Sequence, residues 1–176
     1  EYILREMTLA EGGFYSAQDA DSEGIEGKFY LFEPIEILKV LGKDDGKDFC
    51  RYFDITEKGN YEGKNIPNLL QNNLITARYN TFLPKLYDYR KNRYQLHLDD
   101  KILTSWNGLM IAAMCYLYRV TQNEKYLGVA EQAQTFIENK LCEGDSLFVS
   151  WREEQRSGKG FLEDYANDIF ALLSLY

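Results

Sequence analysis

Asp99-Asp100-Lys101-Ile102-Leu103-Thr104-Ser105-Trp106-Asn107-Gly108-Leu109-Met110-Ile111-Ala112-Ala113 opens the stretch that decides the fold. From Ile102 to Val120 apolar residues fall on nearly every helical face, Trp106, Leu109, Met110, Ile111, Met114 and Leu117 among them, which predicts a helix buried on most sides. After the break Thr121-Gln122-Asn123, the segment 124–141 sets Tyr126, Val129, Ala130, Ala133, Phe136, Ile137 and Leu141 on one face against Glu131, Gln134 and Glu138 on the other. A helix buried all round followed by an amphipathic one reads as an inner and an outer helix. The pattern then restarts: 146–151 alternates as a strand, 152–159 reads as a polar turn, and 161–176 is a second apolar helix opened by Glu163-Asp164. A spacing of roughly 60 residues between inner helices is what a barrel of helical hairpins shows, and six such units need roughly twice this chain. The expectation is a mostly α chain forming one partial domain over 1–176, about half of a full ring.

Working outward to the N-terminal half, residues 1–8 read as a helix end, Gly12-Gly13 as a turn and 14–27 as a polar loop. Lys28-Phe29-Tyr30-Leu31-Phe32 is an aromatic strand candidate, and Pro34 suits the first turn of a helix that ends at Gly42. A short helix is expected over 47–52 and irregular loop over 54–68. A polar helix is expected over 73–93, weakened at Pro84.

With 28 acidic against 20 basic residues, the formal charge of −8 repels phosphate backbones and anionic membranes, so nucleic acid and membrane partners are not expected. The uncharged run between Lys101 and Arg119 contains Thr104, Ser105, Asn107 and Gly108 and falls short of the roughly 20 residues a spanning helix needs. Cys50, Cys115 and Cys142 lack C-x-x-C spacing, and with a single histidine they make no zinc set; buried reduced thiols and a cytoplasmic location are the expectation. No metal and no cofactor are called for. The chain starts without Met and stops at Leu172-Leu173-Ser174-Leu175-Tyr176, inside an apolar helix, so it reads as a fragment that self-associates through apolar faces left uncovered.

Three places carry carboxylates in patterns that chemistry could use. Asp19, Asp21 and Glu23 alternate in a Gly-bounded loop, but Tyr30 stands where a calcium loop needs its closing Glu, and a solvated acidic turn accounts equally well for them. His97 precedes Asp99-Asp100, which stand at the expected start of the first inner helix. There, two acids at a helix start can simply cap it, Trp106 can be core and His97 a surface residue. The functional reading is that one Asp caps while the other faces the barrel mouth, Trp106 stacks on a sugar-like ring, Asn107 donates to a hydroxyl and His97 serves as a base. Glu163 and Asp164, followed by Tyr165, open the second inner helix in the same way. Acidic pairs at equivalent points of two repeats would gather carboxylates at one end of the barrel, and glycoside chemistry uses two of them.

The stretches GGFYSAQDADSEG with EGKFYLF, FCRYFDIT with GNYEGKN, DDKILTSWNGLMIAA and GFLEDYA, in that order over nearly the whole chain, resemble the spermatogenesis-associated protein 20 or YyaL-like family. The resemblance implies an upstream thioredoxin-like domain and a six-hairpin α/α toroid, (α/α)6, with short β-hairpin loops, similar to glycosidases and N-acylglucosamine 2-epimerase-type isomerases. Arg93-Tyr94-Gln95-Leu96-His97 departs from that family pattern, which has a proline before the histidine. The expected function is a carbohydrate-active domain, glycosidase-like or sugar isomerase-like, with Asp19, Asp21, Asp100, Glu163 and Asp164 as catalytic carboxylates and Trp106, Asn107, Tyr165 and His97 binding the substrate. The alternative is a non-catalytic scaffold that partners the thioredoxin-like domain.

Overall fold

The computed structural model describes residues 1–72 and 76–176. The chain is mostly α-helical with small antiparallel sheets, and it divides into two compact units: residues 1–18 with 98–176 (unit 1) and residues 19–97 (unit 2). In chain order the elements begin with α1 (Tyr2–Glu6), β1 (Ala17–Gln18), β2 (Asp21–Ser22), β3 (Ile25–Glu26), α2 (Pro34–Leu41) and α3 (Lys43–Tyr52). They continue with α4 (Ala77–Asn80), α5 (Leu83–Arg93), β4 (Leu98–Asp99), β5 (Ile102–Leu103), α6 (Thr104–Thr121) and α7 (Glu124–Phe136), which a π-helical turn (Ile137–Leu141) prolongs. The last are β6 (Cys142–Glu143), β7 (Ser146–Arg152), β8 (Gln155–Lys159) and α8 (Leu162–Leu175).

In unit 1 helix α6 starts two residues later than its apolar pattern suggests. Ile102 and Leu103 are extended and pair with Trp151 and Ser150 of β7, and Ile102 is wholly buried. Gln122 in the left-handed region ends α6, and the Asn123 side chain accepts the Lys125 N–H to start α7, so two residues turn the chain into a helical hairpin. Ala130, Ala133 and Phe136 of α7 join Ile111, Met114 and Cys115 of α6 in one core with Ala171 of α8. A hairpin around Gly12-Gly13 closes that core from the N-terminal side. A Cβ on Gly12 would lie 2.6 Å from the Gln132 carbonyl oxygen and one on Gly13 2.5 Å from Ile102 Cδ1, so both glycines serve close packing as well as a turn.

The face of α6 away from this core is open, contrary to the burial its all-round apolarity suggests. Trp106, Leu109, Tyr116, Leu117 and Val120 form an exposed stripe, and Leu162, Ile169, Phe170, Leu173 and Tyr176 form another along the end of the chain. Residues 152–159, expected as a turn, instead form the tip of a hairpin and the strand β8, in register Phe148↔Lys159 and Arg152↔Gln155. Every residue of β8 is exposed, so no apolar alternation marks it in the sequence. The tip residues Glu153 and Glu154 both take positive φ (50° and 60°), a conformation that Asn-Gly adopts with less strain. Replacing them by Asn and Gly together is expected to raise stability by about 1 kcal/mol after loss of their exposed ion pairs, read as a higher urea midpoint with an unchanged slope.

Unit 2 is built on α2 and α3, joined at Gly42 (φ 85°), with Pro34 in the first turn of α2. Phe49, Phe53, Tyr79 and Phe82 pack ring against ring in its core. The aromatic run 28–32 is not a strand: residues 27–30 turn, and only Phe32 makes a bridge, to Asn65. That buried asparagine donates to Phe32 O (3.2 Å) and Thr56 O (3.0 Å) and accepts the Thr56 N–H (2.9 Å), which organises the loop over 54–68. The helix expected over 73–93 is, among the described residues, two helices, α4 and α5, with Pro84 in the first turn of α5; positions 73–75 of the expected span lie outside the described residues. Arg93 pairs with Glu36 at 2.9 Å and donates to Phe29 O. Burial works to raise the Glu36 pKa, but the Glu33 N–H and Arg93 outweigh it and hold the carboxyl below its ordinary range.

Candidate functional site

The N-terminal ends of α6 and α8 meet. Asp164, only 1% exposed, accepts the Phe161 N–H at the start of its own helix (Oδ2, 2.8 Å) and the Ser105 N–H at the start of α6 (Oδ1, 3.1 Å). A single carboxylate therefore caps two helices, and the positive ends of both helix dipoles favour its charge. Leu103, at the cap position of α6, offers no side-chain acceptor of its own. Farther along, Gly108 lies against the backbone of Asn167, and at the far end the Arg119 guanidinium donates to Ser174 O (2.8 Å). Contacts at the start, middle and end, in the same order along both helices, make α6 and α8 parallel neighbours.

Around this junction the expected site residues part company. Glu163 is exposed and Trp106 is 55% exposed, so both are free to meet a ligand. Asn107 is buried: its Oδ1 accepts the Phe14 N–H (2.7 Å) and its amide donates to Phe14 O and Leu103 O. Both amide protons are thus committed to backbone, and the group expected to reach a sugar hydroxyl holds the N-terminal hairpin instead. The Tyr165 hydroxyl accepts the Leu147 N–H at 3.1 Å and ties α8 to β7.

Asp99 and Asp100 do not stand at the helix start. Asp99 lies in β4, paired with Ala17 of β1, and its side chain bonds Lys101. Burial works to raise its pKa, but the Lys101 contacts prevail and lower it. Asp100 forms an ion pair with Arg152 Nε at 2.6 Å. Arg152 is four residues along β7 from Phe148, whose carbonyl accepts the Thr104 hydroxyl. That puts the pair about 13 Å from the start of α6 at about 3.3 Å per strand residue. Tyr15 adjoins it, its phenol pKa raised by burial and by the Asp100 charge. The acidic pairs 99–100 and 163–164 are therefore not equivalent in place, because β5 intervenes between the first pair and its helix. Tyr15 and Arg152 were not singled out in the sequence, where nothing local marks either.

Asp19, Asp21 and His97 belong to unit 2. Asp19 and His97 adjoin through backbone, the Asp19 N–H donating to His97 O at 2.8 Å. Asp21 lies in a two-stranded hairpin whose turn, Glu23-Gly24, has positive φ at both residues; Asp19 and Asp21 are exposed. Among the described residues no three His, Cys, Asp or Glu side chains are grouped to hold a metal ion, and no helix is long and apolar enough to cross a membrane.

No family model matches the chain. It is 29% identical to spermatogenesis-associated protein 20 of Mus musculus and 30% identical to that of Rattus norvegicus. Each alignment covers all of this chain and 28% of the relative. A Caenorhabditis elegans protein described as uncharacterised is 29% identical over 98% of this chain and 30% of its own length. The chain thus spans less than a third of the relatives it matches. The rodent alignments run over 223 positions against 176 residues, so the relatives hold additional residues within the matched stretch.

Proposed function

We propose, for a chain homologous over its whole length to spermatogenesis-associated protein 20, that unit 1 is part of a sugar-active α/α toroid with its site at the joined N-terminal ends of α6 and α8. The observation that carries this reading is the parallel α6–α8 pair locked by Asp164, with the hairpin partner α7 following α6 after two residues. Repeating that step generates a ring of inner helices whose starts share one rim. At this rim Glu163 is a free carboxylate and Trp106 an exposed aromatic face suited to a sugar ring; Asp100, engaged with Arg152, lies beyond β5 and outside it. Asp164, Asn107 and Tyr165 hold the rim in shape.

The test is a panel of sugars and sugar phosphates titrated against the full-length protein, followed by tryptophan emission. Trp151 is buried against Phe136, so a ligand at the rim should change the Trp106 signal. The response should vanish in Trp106→Leu, and Glu163→Gln should bind the same sugar with turnover lowered at least 100-fold. A panel without any Trp106-dependent response would exclude the sugar site.

A second reading, a non-catalytic scaffold serving a thioredoxin-like domain elsewhere in the longer protein, draws support from the commitment of Asp164, Asn107 and Tyr165 to backbone. It requires Glu163→Gln and Asp100→Asn to leave the full-length protein's activity unchanged. Either way, the exposed stripes of unit 1 are of the kind that drives association. The 176-residue chain alone is expected to sediment above its monomer mass of 20.6 kDa at micromolar concentration; a single monomeric boundary would show that the stripes do not associate.

A further inference from the structure

One turn beyond Asp164, α8 carries a second inward carboxylate, Asp168, that the proposed site does not use. Its Oδ1 accepts a hydrogen bond from Gln134 Nε2 of α7 at 3.1 Å. Gln134 is only 5% exposed, and its other amide atom, Oε1, is buried without a hydrogen-bond partner among the described residues. A buried carbonyl oxygen left without a donor is costly. No lysine, arginine or histidine shares this contact. Glu138, in the π-helical turn after α7, adds a like charge. The one charged residue of α6 is Arg119, bonded to Ser174 O, and the one of β7 is Arg152, paired with Asp100. The Asp168 carboxyl already lies in hydrogen-bond contact with the Gln134 amide and, once protonated, carries an O–H able to reach Oε1.

We propose that Asp168 holds a proton in the folded chain and donates it to Gln134 Oε1, closing an acid–amide ring of two hydrogen bonds between α8 and α7. Gln134 Nε2–H meets Oδ1 and the carboxylic O–H of Asp168 meets Oε1, so every polar atom of the amide is satisfied. When the proton leaves, one bond is lost and a carboxylate is left facing an amide oxygen. Burial, reinforced by the charge of Glu138, also pushes the Asp168 pKa upward. A carboxyl with a raised folded-state pKa contributes stability that is complete below its unfolded pKa and is lost as pH rises through the folded one. The α7–α8 tie is thus a built-in proton sensor directly beneath the joined helix starts.

Asp168→Asn tests this in the full chain, because an amide there offers Oδ1 and a permanent N–H donor in place of the titrating O–H. The variant is expected to melt about 2–4 °C above the wild type at pH 8, the shift that about one net hydrogen bond gives in a chain of this length. The gap should close as pH falls through the raised pKa of Asp168. In the wild type labelled with 13C at aspartate carboxyls, the resonance missing from Asp168→Asn should titrate above the ordinary aspartate range. A lower melting point for Asp168→Asn at pH 8, a gap independent of pH, or an Asp168 titration within the ordinary aspartate range would each overturn the proposal.

Discussion

Asp164→Ala is expected to destabilise unit 1 by about 3 kcal/mol, because one truncation removes the caps of two helices and leaves the buried Ser105 N–H and the partly buried Phe161 N–H unpaired. Loss of a single exposed cap costs about 1 kcal/mol, so the excess is the signature of sharing. Asp164→Asn keeps one carbonyl oxygen and turns an amide N–H2 towards a donor, and should recover less than half of the loss. Amide exchange locates the effect: the Ser105 and Phe161 amides, 56 residues apart, should both lose protection in Asp164→Ala. If only Phe161 does, the carboxylate caps its own helix alone and the joining of the two starts has another cause.

Gly108→Ala is expected to cost about 3 kcal/mol, although alanine is the better helix former by about 1 kcal/mol. The added Cβ would lie 2.5 Å from the Asn167 carbonyl oxygen, a backbone atom that cannot turn aside, so α6 and α8 must separate. Gly128 in α7 is the internal control: it is exposed, and a Cβ there meets nothing within 4 Å. Gly128→Ala should therefore stabilise by about 1 kcal/mol on propensity alone. Opposite signs for the same substitution on two helices, read from urea unfolding, would establish the close α6–α8 approach; equal stabilisation by both would refute it.

How much of this was legible depended on the range of the interaction concerned. The amphipathic helix over 124–141 was readable because its stripe is local, and it appears as α7 with its π-helical continuation. The start of α6 was misread by two residues because Ile102 and Leu103 are as apolar as the helix they precede, and only pairing with β7, some fifty residues later, makes them extended. β8 was missed because both of its faces are in water, so pairing alone orders it. Among the candidate carboxylates, sequence placed Asp100, Glu163 and Asp164 on an equal footing. The tertiary structure sends Asp164 inward as a shared cap and Asp100 to Arg152, and leaves Glu163 in solvent.

What the chain's order of residues determined by itself was the alternation of apolar and amphipathic helices, the positions of the Gly-marked breaks and the likeness to one family, since each depends on neighbours within a few turns. Which acids are structural and which are free, and that Asn107 and Gly108 lie against backbone, was decided only by packing. A carboxylate takes its role from the N–H groups and cations brought against it, and here the deciding ones, Ser105 for Asp164 and Arg152 for Asp100, come from residues more than fifty positions away.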